Sequence, residues 1–172
     1  SGTVPSSGPP PGTYRVKAVA PASRVQTTPN PSPVSPTSGA TVTTVQLGFF
    51  TQATISGTVF DDTNGSGLWD VAEPGASGRT VFLDANSNGS FDLGEPSTTS
   101  ASDGSYSFTG LTLGTFKPRV ILPIGVTQTS TALAAITTTS GMNATGKNFG
   151  LFTSSSISGS VYSDVDGDGT RD

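Results

Sequence analysis

The feature that most constrains this chain is an internal repeat with an offset of 102 residues. Residues 55–60 return as residues 157–162, and three further segments match in the same register. Residues 1–70 align with residues 103–172 at this offset without a gap. A fixed period indicates that one folding unit is used more than once. The fold of one copy therefore predicts the fold of the others.

The repeat divides the chain into one complete unit and two partial units. The boundary falls just before a strand predicted at Ile55, so residues 54–153 form the complete repeat. Residues 1–53 are then the C-terminal part of a preceding repeat, and residues 154–172 are the N-terminal start of the next. Because the joining segments are short, neighbouring repeats are expected to lie close together. We therefore expect this chain to be part of a longer tandem array of repeats.

Composition and hydrophobic patterning favour an all-β fold. The chain has 22 Gly and 13 Pro, and only 32% of its residues are hydrophobic, which is typical of many short strands joined by tight turns. Alternating apolar residues and clusters of β-branched or aromatic residues predict the individual strands. The predicted strands are residues 55–60, 80–83, 105–109, 115–122 and 147–152, whereas residues 132–136 could form a helical turn or a weak strand.

Several functional classes are disfavoured by residue types that the chain lacks. It has no cysteine and no histidine, which removes disulfides, the common nucleophile–base pairs and the usual zinc and iron sites. The formal net charge of −4 and the lack of a basic patch argue against a nucleic acid partner. No apolar run approaches the ~20 residues of a membrane span. The polar start of the chain does not resemble a signal peptide, so any export signal is expected outside it.

The strongest chemical signal is a twelve-residue pattern that follows the first predicted strand of the complete repeat. Oxygen-bearing residues at loop positions 1, 3, 5, 7, 9 and 12, with glycine at position 6, are the ligand spacing of a calcium loop. Ca²⁺ takes about 6–8 oxygens, and a glutamate at position 12 can supply two of them. In the first loop the predicted ligands are Asp62, Asn64, Ser66, the backbone carbonyl of Leu68, Asp70 and Glu73, with Gly67 at the turn.

The same pattern occurs a second time in full and a third time in part. Asx turns use the same residue types, but they do not require a glutamate at position 12 or a glycine at position 6. Pro74 and Pro96 follow the two glutamates and oppose an exit helix, so these loops are expected between strands rather than in EF-hands. The second set of predicted ligands is Asp84, Asn86, Asn88, Ser90, Asp92 and Glu95, and the third set is Asp164, Asp166, Asp168, Thr170 and Asp172.

With these residues in view, the complete repeat resembles the B-type domain of serine-aspartate repeat surface adhesins. The resemblance implies a prealbumin-like, Ig-like Greek-key β-sandwich with calcium loops between strands. It also implies a calcium-rigidified tandem spacer in extracellular bacterial surface proteins, with Ca²⁺ as the cofactor. The matching segments are residues 55–62, 73–75, 80–84, 95–96, 103–108, 110–111 and 114–116.

Three functions are compatible with these features. The first is a calcium-stabilised structural repeat of an extracellular fibre, stalk or adhesin, whose partners are neighbouring repeats of the same protein or further chains of a homopolymeric fibre. The second is an extracellular binding module for a glycan or a host protein. The third is an accessory domain of a secreted enzyme whose catalytic part lies outside this chain. Calcium would hold the clustered carboxylates ionised, which is the wrong state for a general acid, so no catalytic residue is predicted.

Overall fold

The computed structural model describes residues 10–43 and 45–171, and all regular secondary structure within them is β-strand. The all-β fold predicted from the sequence is thus confirmed. In this described part of the chain, no helix has the length and apolar character needed to cross a membrane. In chain order the strands are β1 (Arg24–Gln26), β2 (Phe49–Thr51), β3 (Ala53–Asp61), β4 (Thr80–Leu83), β5 (Ser97–Thr99), β6 (Ser105–Leu111), β7 (Thr115–Phe116), β8 (Pro118–Val120), β9 (Val126–Gln128), β10 (Ile136–Thr137), β11 (Asn143–Ala144) and β12 (Phe149–Thr153).

The main sheet of the complete repeat is organised around β3, whose β-branched residues favour an extended backbone. Strand β3 pairs antiparallel with β6 and parallel with both β11 and β12. Strand β12 in turn pairs antiparallel with β9. The first strand of the repeat is therefore joined directly to its last strand, so the two ends of the unit are held together by backbone hydrogen bonds.

A second sheet with the order β5-β4-β8 faces the main sheet and completes a β-sandwich. The two sheets share one hydrophobic core, in which Ile55 and Val59 of β3 and Phe149 of β12 lie with Val81 and Leu83 of β4. Each of these side chains is at most 1% exposed. Burying one such side chain contributes about 1.5–3 kcal/mol, so this core supplies much of the stability of the repeat.

A close approach of two backbones makes glycine necessary at position 57. A Cβ atom on Gly57 would lie 2.0 Å from the carbonyl oxygen of Lys147. The Lys147 N–H donates to the carbonyl of Ser56 at 3.1 Å, and the Tyr106 hydroxyl donates to the Lys147 carbonyl at 2.5 Å. The segment between β11 and β12 is thereby held across β3 at a point where any side chain would collide with it.

The 102-residue offset of the sequence reappears in the backbone pairing. Strands β1 and β2 pair in the same register as β9 and β12, displaced by 102 residues at every position. The isolated bridge between Tyr14 and Val34 corresponds in the same way to the β7–β10 pair of Phe116 and Ile136. Among the described residues before position 53, however, Phe50 is the one apolar side chain that is buried. The region before residue 53 thus shares its strand pairing with the complete repeat but lacks a comparable set of buried apolar side chains among its described residues.

The predicted strands appear in the structure with shifted ends. Strand β4 matches its prediction at both ends, whereas β3 is longer at both ends. The single strand predicted over residues 115–122 was wrong, because the chain changes partners at Lys117: β7 pairs with β10, and β8 pairs with β4. The last predicted strand starts at Phe149 rather than residue 147. Strands β5, β9 and β11 were not predicted. Of the segment 132–136, which was left open between a helical turn and a weak strand, Ile136 begins β10 and residues 132–135 form neither element.

Candidate metal-binding loops

The first twelve-residue loop begins directly after β3 and folds around the carboxylate of Asp62. The Asp62 N–H donates to the carbonyl of Leu151 on β12 at 2.8 Å, which fixes this residue to the main sheet. Its two carboxylate oxygens accept the N–H groups of Ser66 at 3.0 Å and Gly67 at 2.7 Å. Gly67 has a φ of 76°, a backbone conformation that favours glycine. The turn that directs the Gly67 N–H at Asp62 therefore requires glycine at loop position 6.

The carboxylate of Glu73 closes the same loop. One oxygen accepts the N–H of Thr63 at 2.9 Å, and the other accepts the N–H of Asp70 at 3.1 Å. The Trp69 indole N–H donates to the Glu73 carbonyl at 3.1 Å, and its ring stacks on Phe60 at 6.2 Å. Predicted positions 1 and 12 are thus both anchored by backbone donors and lie at the inner side of the loop, since Glu73 is only 7% exposed.

The remaining predicted positions of the first loop lie in one hydrogen-bonded network. The Asn64 amide donates to a carboxylate oxygen of Asp70 at 2.8 Å and accepts the Ser66 N–H at 2.8 Å. The Ser66 hydroxyl donates to the Leu68 carbonyl at 3.2 Å. An asparagine amide has both donors and an acceptor, so Asn64 can bind a carboxylate here and can offer its oxygen to a cation. The structure brings all the predicted positions of the first loop together.

The second loop repeats the arrangement of the first. Asp84 directly follows β4 and is 2% exposed. Glu95 accepts the N–H of Ala85 at 2.7 Å on one oxygen and the N–H of Asp92 at 3.1 Å on the other. These two bonds match those of the first loop position for position. The aromatic residue at loop position 8 again packs on the preceding strand, with the ring of Phe91 5.4 Å from that of Phe82.

The middle of the second loop also forms one network. The side-chain amides of Asn86 and Asn88 each donate to the same carboxylate oxygen of Asp92 at 2.7 Å. The N–H of Ser90 donates to the side-chain oxygen of Asn88 at 2.8 Å. The predicted residues therefore surround Asp92 in the second loop as they surround its counterpart in the first.

The sequence does not reveal one residue that contacts the second loop, Arg119. The Arg119 Nε lies 2.5 Å from one carboxylate oxygen of Asp84, which also accepts the Gly89 N–H at 3.0 Å. The other carboxylate oxygen of Asp84 is buried and has no hydrogen-bond partner. Arg119 is on β8, and the pairing of β8 with β4 places it opposite Phe82. No local motif signals this contact, because it depends on the register between two strands distant in sequence.

Hydrogen bonding keeps the first carboxylate of both complete loops ionised. Burial acts to raise the pKa of Asp62, but the hydrogen bond from the Thr129 side chain and those from the amides of Gly67 and Ser66 outweigh it and lower this pKa. Burial likewise acts to raise the pKa of Asp84, and the hydrogen bond and positive charge of Arg119 reverse the direction. Because these buried carboxylates stay ionised, a cation can bind them without displacing a proton.

The third loop places its carboxylates closest together. The carboxylate oxygens of Asp164, Asp166 and Asp168 lie within 4.8 Å of one another, and among the described residues this is the one acidic group of three that is so close. All three are exposed. The N–H of Thr170 donates to Asp168 at 2.8 Å, and Asp172 lies outside the described residues. In the two complete loops, positions 3 and 5 hold neutral amide or hydroxyl side chains instead of the carboxylates of Asp166 and Asp168.

The chemistry of the donor set fits Ca²⁺. Every predicted ligand supplies a carboxylate, amide, hydroxyl or backbone carbonyl oxygen, which are the ligands of hard divalent cations. The unpartnered buried oxygen of Asp84 is a further sign, because buried acceptors are nearly always satisfied by a donor, a water or an ion. The residues present are therefore suited to hold calcium at both complete loops.

Comparison with known proteins identifies a matching family and solved structures with a similar fold. The model of the SdrD B-like domain family matches residues 53–156, a range that includes both complete loops. No curated protein sequence matches the chain significantly. One matching solved structure is GBS52, the minor pilin of the Gram-positive pathogen Streptococcus agalactiae, with 12% identity and a TM-score of 0.45. That alignment covers 75% of this chain and 62% of the pilin chain, so this chain spans less than two thirds of the pilin.

Proposed function

The chain belongs to the SdrD B-like domain family, and from this premise we propose that residues 54–153 are a calcium-stabilised structural repeat of an extracellular cell-surface protein. The observation that carries the proposal is the shared arrangement of the two complete loops. In each, a buried aspartate and a glutamate are held by backbone N–H groups at the two ends of a twelve-residue, oxygen-rich loop. Ordinary turns have no need for this pair of anchored carboxylates.

Calcium binding would stabilise the repeat by linking the loops to the sheets. The loops leave the ends of β3 and β4, one from each sheet of the sandwich. Each complete loop contains three carboxylates, and a divalent cation would relieve their mutual repulsion. If the dissociation constant lies about 100-fold below the surrounding calcium concentration, one site adds roughly 2.7 kcal/mol. Two such sites would approach the whole stability of a small domain, which is about 5–15 kcal/mol.

The tandem arrangement is the second part of the proposal. The sequence match supports residues 1–53 and 154–172 as parts of neighbouring repeats. The backbone pairing at the same offset supports this for the first of the two regions. A single residue, Gln52, separates β2 from β3, and its side chain donates to the Gly110 carbonyl at 3.1 Å. The Gly141 N–H also donates to the Thr51 carbonyl at 2.9 Å. These bonds support a stiff junction, as a stalk or fibre requires.

A calcium titration of the whole chain tests this function. Trp69 is the only tryptophan, and its indole donates to the backbone of Glu73, so its fluorescence should change saturably as the first loop binds calcium. A parallel thermal melt should show the melting temperature rising by about 10–20 °C per site over a sample with chelator. If neither the fluorescence nor the melting temperature responds, the loops are ordinary turns and the proposed role of calcium is wrong.

A further inference from the structure

A polar groove lies against β3 and β6, the paired strands at the centre of the complete repeat. Its volume is about 580 Å³, within the range of about 300–1,000 Å³ that is usual for small-ligand sites. The described residues that line it are all uncharged, and most of them carry a hydroxyl group. The groove therefore differs in chemistry from the acidic loops of the same repeat.

The register between β3 and β6 arranges four of these hydroxyl groups in two pairs. Ser56 lies opposite Ser107, and Thr58 lies opposite Ser105. Along both strands these residues alternate with positions that face the core, so their side chains point away from it. The Cβ atoms of opposed residues in a sheet are about 4.5–5.5 Å apart. Since each hydroxyl has a donor and acceptor capacity, this face offers a compact set of hydrogen-bonding groups.

Trp69 adds a fixed aromatic wall to the groove. Phe60 is the next outward position of β3 after Thr58, and the Trp69 ring stacks on it with an interplanar angle of 22°. The indole N–H donates to the Glu73 carbonyl at 3.1 Å, so two contacts hold the ring in place. The Trp69 side chain is still 49% exposed, because one face of the ring lies toward Phe60 and the other does not. The open face is a flat apolar surface that a ligand can cover.

Asn148 supplies an amide group from the other side of β3. Its side-chain oxygen accepts the N–H of Thr58 at 3.0 Å, which orients the side chain. The two N–H donors of an asparagine amide are separate from its oxygen, so they can bind a ligand in the groove that Asn148 lines. The groove thus combines an aromatic face with neutral donors and acceptors on both sides of one strand.

The charges around the groove select among hydroxyl-rich ligands. The described lining contains no cationic side chain, and the Ser105 hydroxyl donates to the carboxylate of Asp103 at 2.6 Å. The carboxylates of the first loop are also near, because Trp69 is part of that loop. An anionic ligand would be repelled here without a cation to compensate it. A neutral ligand is therefore favoured.

We propose that this groove binds a neutral carbohydrate chain. One sugar ring stacks its C–H face on Trp69, since the positive C–H groups fit the negative face of an aromatic ring. The hydroxyl groups of the adjoining sugar form hydrogen bonds with the Ser56–Ser107 and Thr58–Ser105 pairs. This site goes beyond the proposed function, because a structural spacer has no need of a ligand.

Ligand-observed saturation-transfer NMR on the whole chain with saturating calcium tests the proposal. The probes are neutral hexasaccharides derived from cellulose, amylose and chitin, with an acidic hexasaccharide of hyaluronan for comparison. We expect a neutral probe to bind with a dissociation constant on the order of 1 mM, because the groove is open to water. The strongest saturation should fall on the C–H protons of a single ring. If no neutral probe binds, or if the acidic probe binds equally well, the proposal is wrong.

Ser107→Arg is the variant that blocks the groove, and Thr109→Arg is its matched control. Both residues are exposed on the same face of β6, but Thr109 lies outside the groove lining. Ser107→Arg should weaken sugar binding about tenfold or more, whereas Thr109→Arg should bind as the unaltered chain does. Both variants should keep the calcium response, because neither residue belongs to a loop. Equal sugar binding by the two variants would overturn the assignment of the site.

Trp69→Ala tests the stacking contact, with Phe91→Ala as its control at the same position of the second loop. Phe91 is 43% exposed and lies outside the groove lining. Trp69→Ala should weaken binding about tenfold and remove the strong saturation of a single ring. Trp69→Phe keeps an aromatic face without the indole hydrogen bond, so it should retain most of the binding. If Trp69→Ala binds the sugar as well as Phe91→Ala does, stacking on Trp69 is excluded and the proposal fails.

Discussion

The two complete loops are built on the same plan and differ in what compensates their first carboxylate. The carboxylate of Asp62 accepts hydrogen bonds from neutral donors, whereas that of Asp84 also binds the guanidinium of Arg119. Arg119 lies on β8, the neighbour of β4 in the second sheet. Its ion pair with Asp84 therefore ties the second loop to that sheet. At the same position of the first loop, the described hydrogen-bond donors to Asp62 are all neutral. A positive charge is thus already present at the second loop before any metal ion binds.

This difference predicts unequal roles for calcium at the two loops. The first loop has no internal cation in the described structure, so calcium would provide most of its charge compensation. At the second loop, Arg119 both holds Asp84 in place and repels an approaching Ca²⁺, which should lower the affinity for the ion. We therefore expect the first loop to bind calcium more tightly and the second loop to keep its shape better without it.

The largest effect should come from removing the first carboxylate of each loop in turn. Asp62→Asn should abolish the tighter site and reduce the calcium-dependent rise in melting temperature by about 10–20 °C. Asp84→Asn should reduce it less, because Asp84 belongs to the weaker site. Both changes preserve the size of the side chain. Thermal melts with and without calcium measure the two effects, and equal losses for the two variants would show that the loops are equivalent.

Replacing Arg119 should make the second loop resemble the first, both in its stability without calcium and in its calcium affinity. In chelator, Arg119→Gln should lower the melting temperature by about 4–8 °C, because Asp84 loses its ionic partner. With calcium, the affinity of the second loop should rise about tenfold, which corresponds to about 1.4 kcal/mol of relieved repulsion. Isothermal titration calorimetry resolves the two sites.

Arg79→Gln is the matched control for Arg119→Gln, since Arg79 precedes β4 and forms no ion pair in the described structure. It should leave both calcium affinities unchanged. A rise in affinity for both arginine variants would indicate an effect of net charge alone. An unchanged second-loop affinity in Arg119→Gln would show that Arg119 does not oppose the ion.

The two oxygen-rich loops could be recognised in the sequence because their predicted ligands are close together in it, whereas the contact of Arg119 could not. The spacing from Asp62 to Glu73 is set by one local turn, and β4 was predicted at both ends from its run of apolar residues. Strand β5 was missed because Ser97–Thr99 carries no apolar residue and pairs only at the edge of its sheet. Contacts that depend on strand register, such as that between Arg119 and Asp84, require the three-dimensional arrangement.

The loss of stability at acid pH should be a smaller effect, and it tests the first carboxylates of the two loops. The pKa of Asp62 and that of Asp84 are both lowered from 3.8 in the folded chain. Near pH 4 the unfolded chain therefore binds more protons, so stability is present above this pH and is lost as the pH falls through the lower folded pKa values. Urea midpoints measured in chelator from about pH 6 to about pH 2 should fall along this range. Asp62→Asn should flatten the fall, and an unchanged curve would contradict the lowered pKa.

The smallest effect should come from the aromatic residue at loop position 8. Trp69→Phe removes the hydrogen bond from the indole to the Glu73 carbonyl and should lower the free energy of unfolding by about 0.5–1 kcal/mol. Phe91, at the same position of the second loop, has no side-chain hydrogen-bond donor to lose. Adding Phe91→Trp to Trp69→Phe moves the only tryptophan to the second loop. Fluorescence titrations of the original and the double variant then report the two loops separately. A weaker calcium midpoint for the double variant supports the inequality, and coincident midpoints would mean that Arg119 leaves the two sites alike.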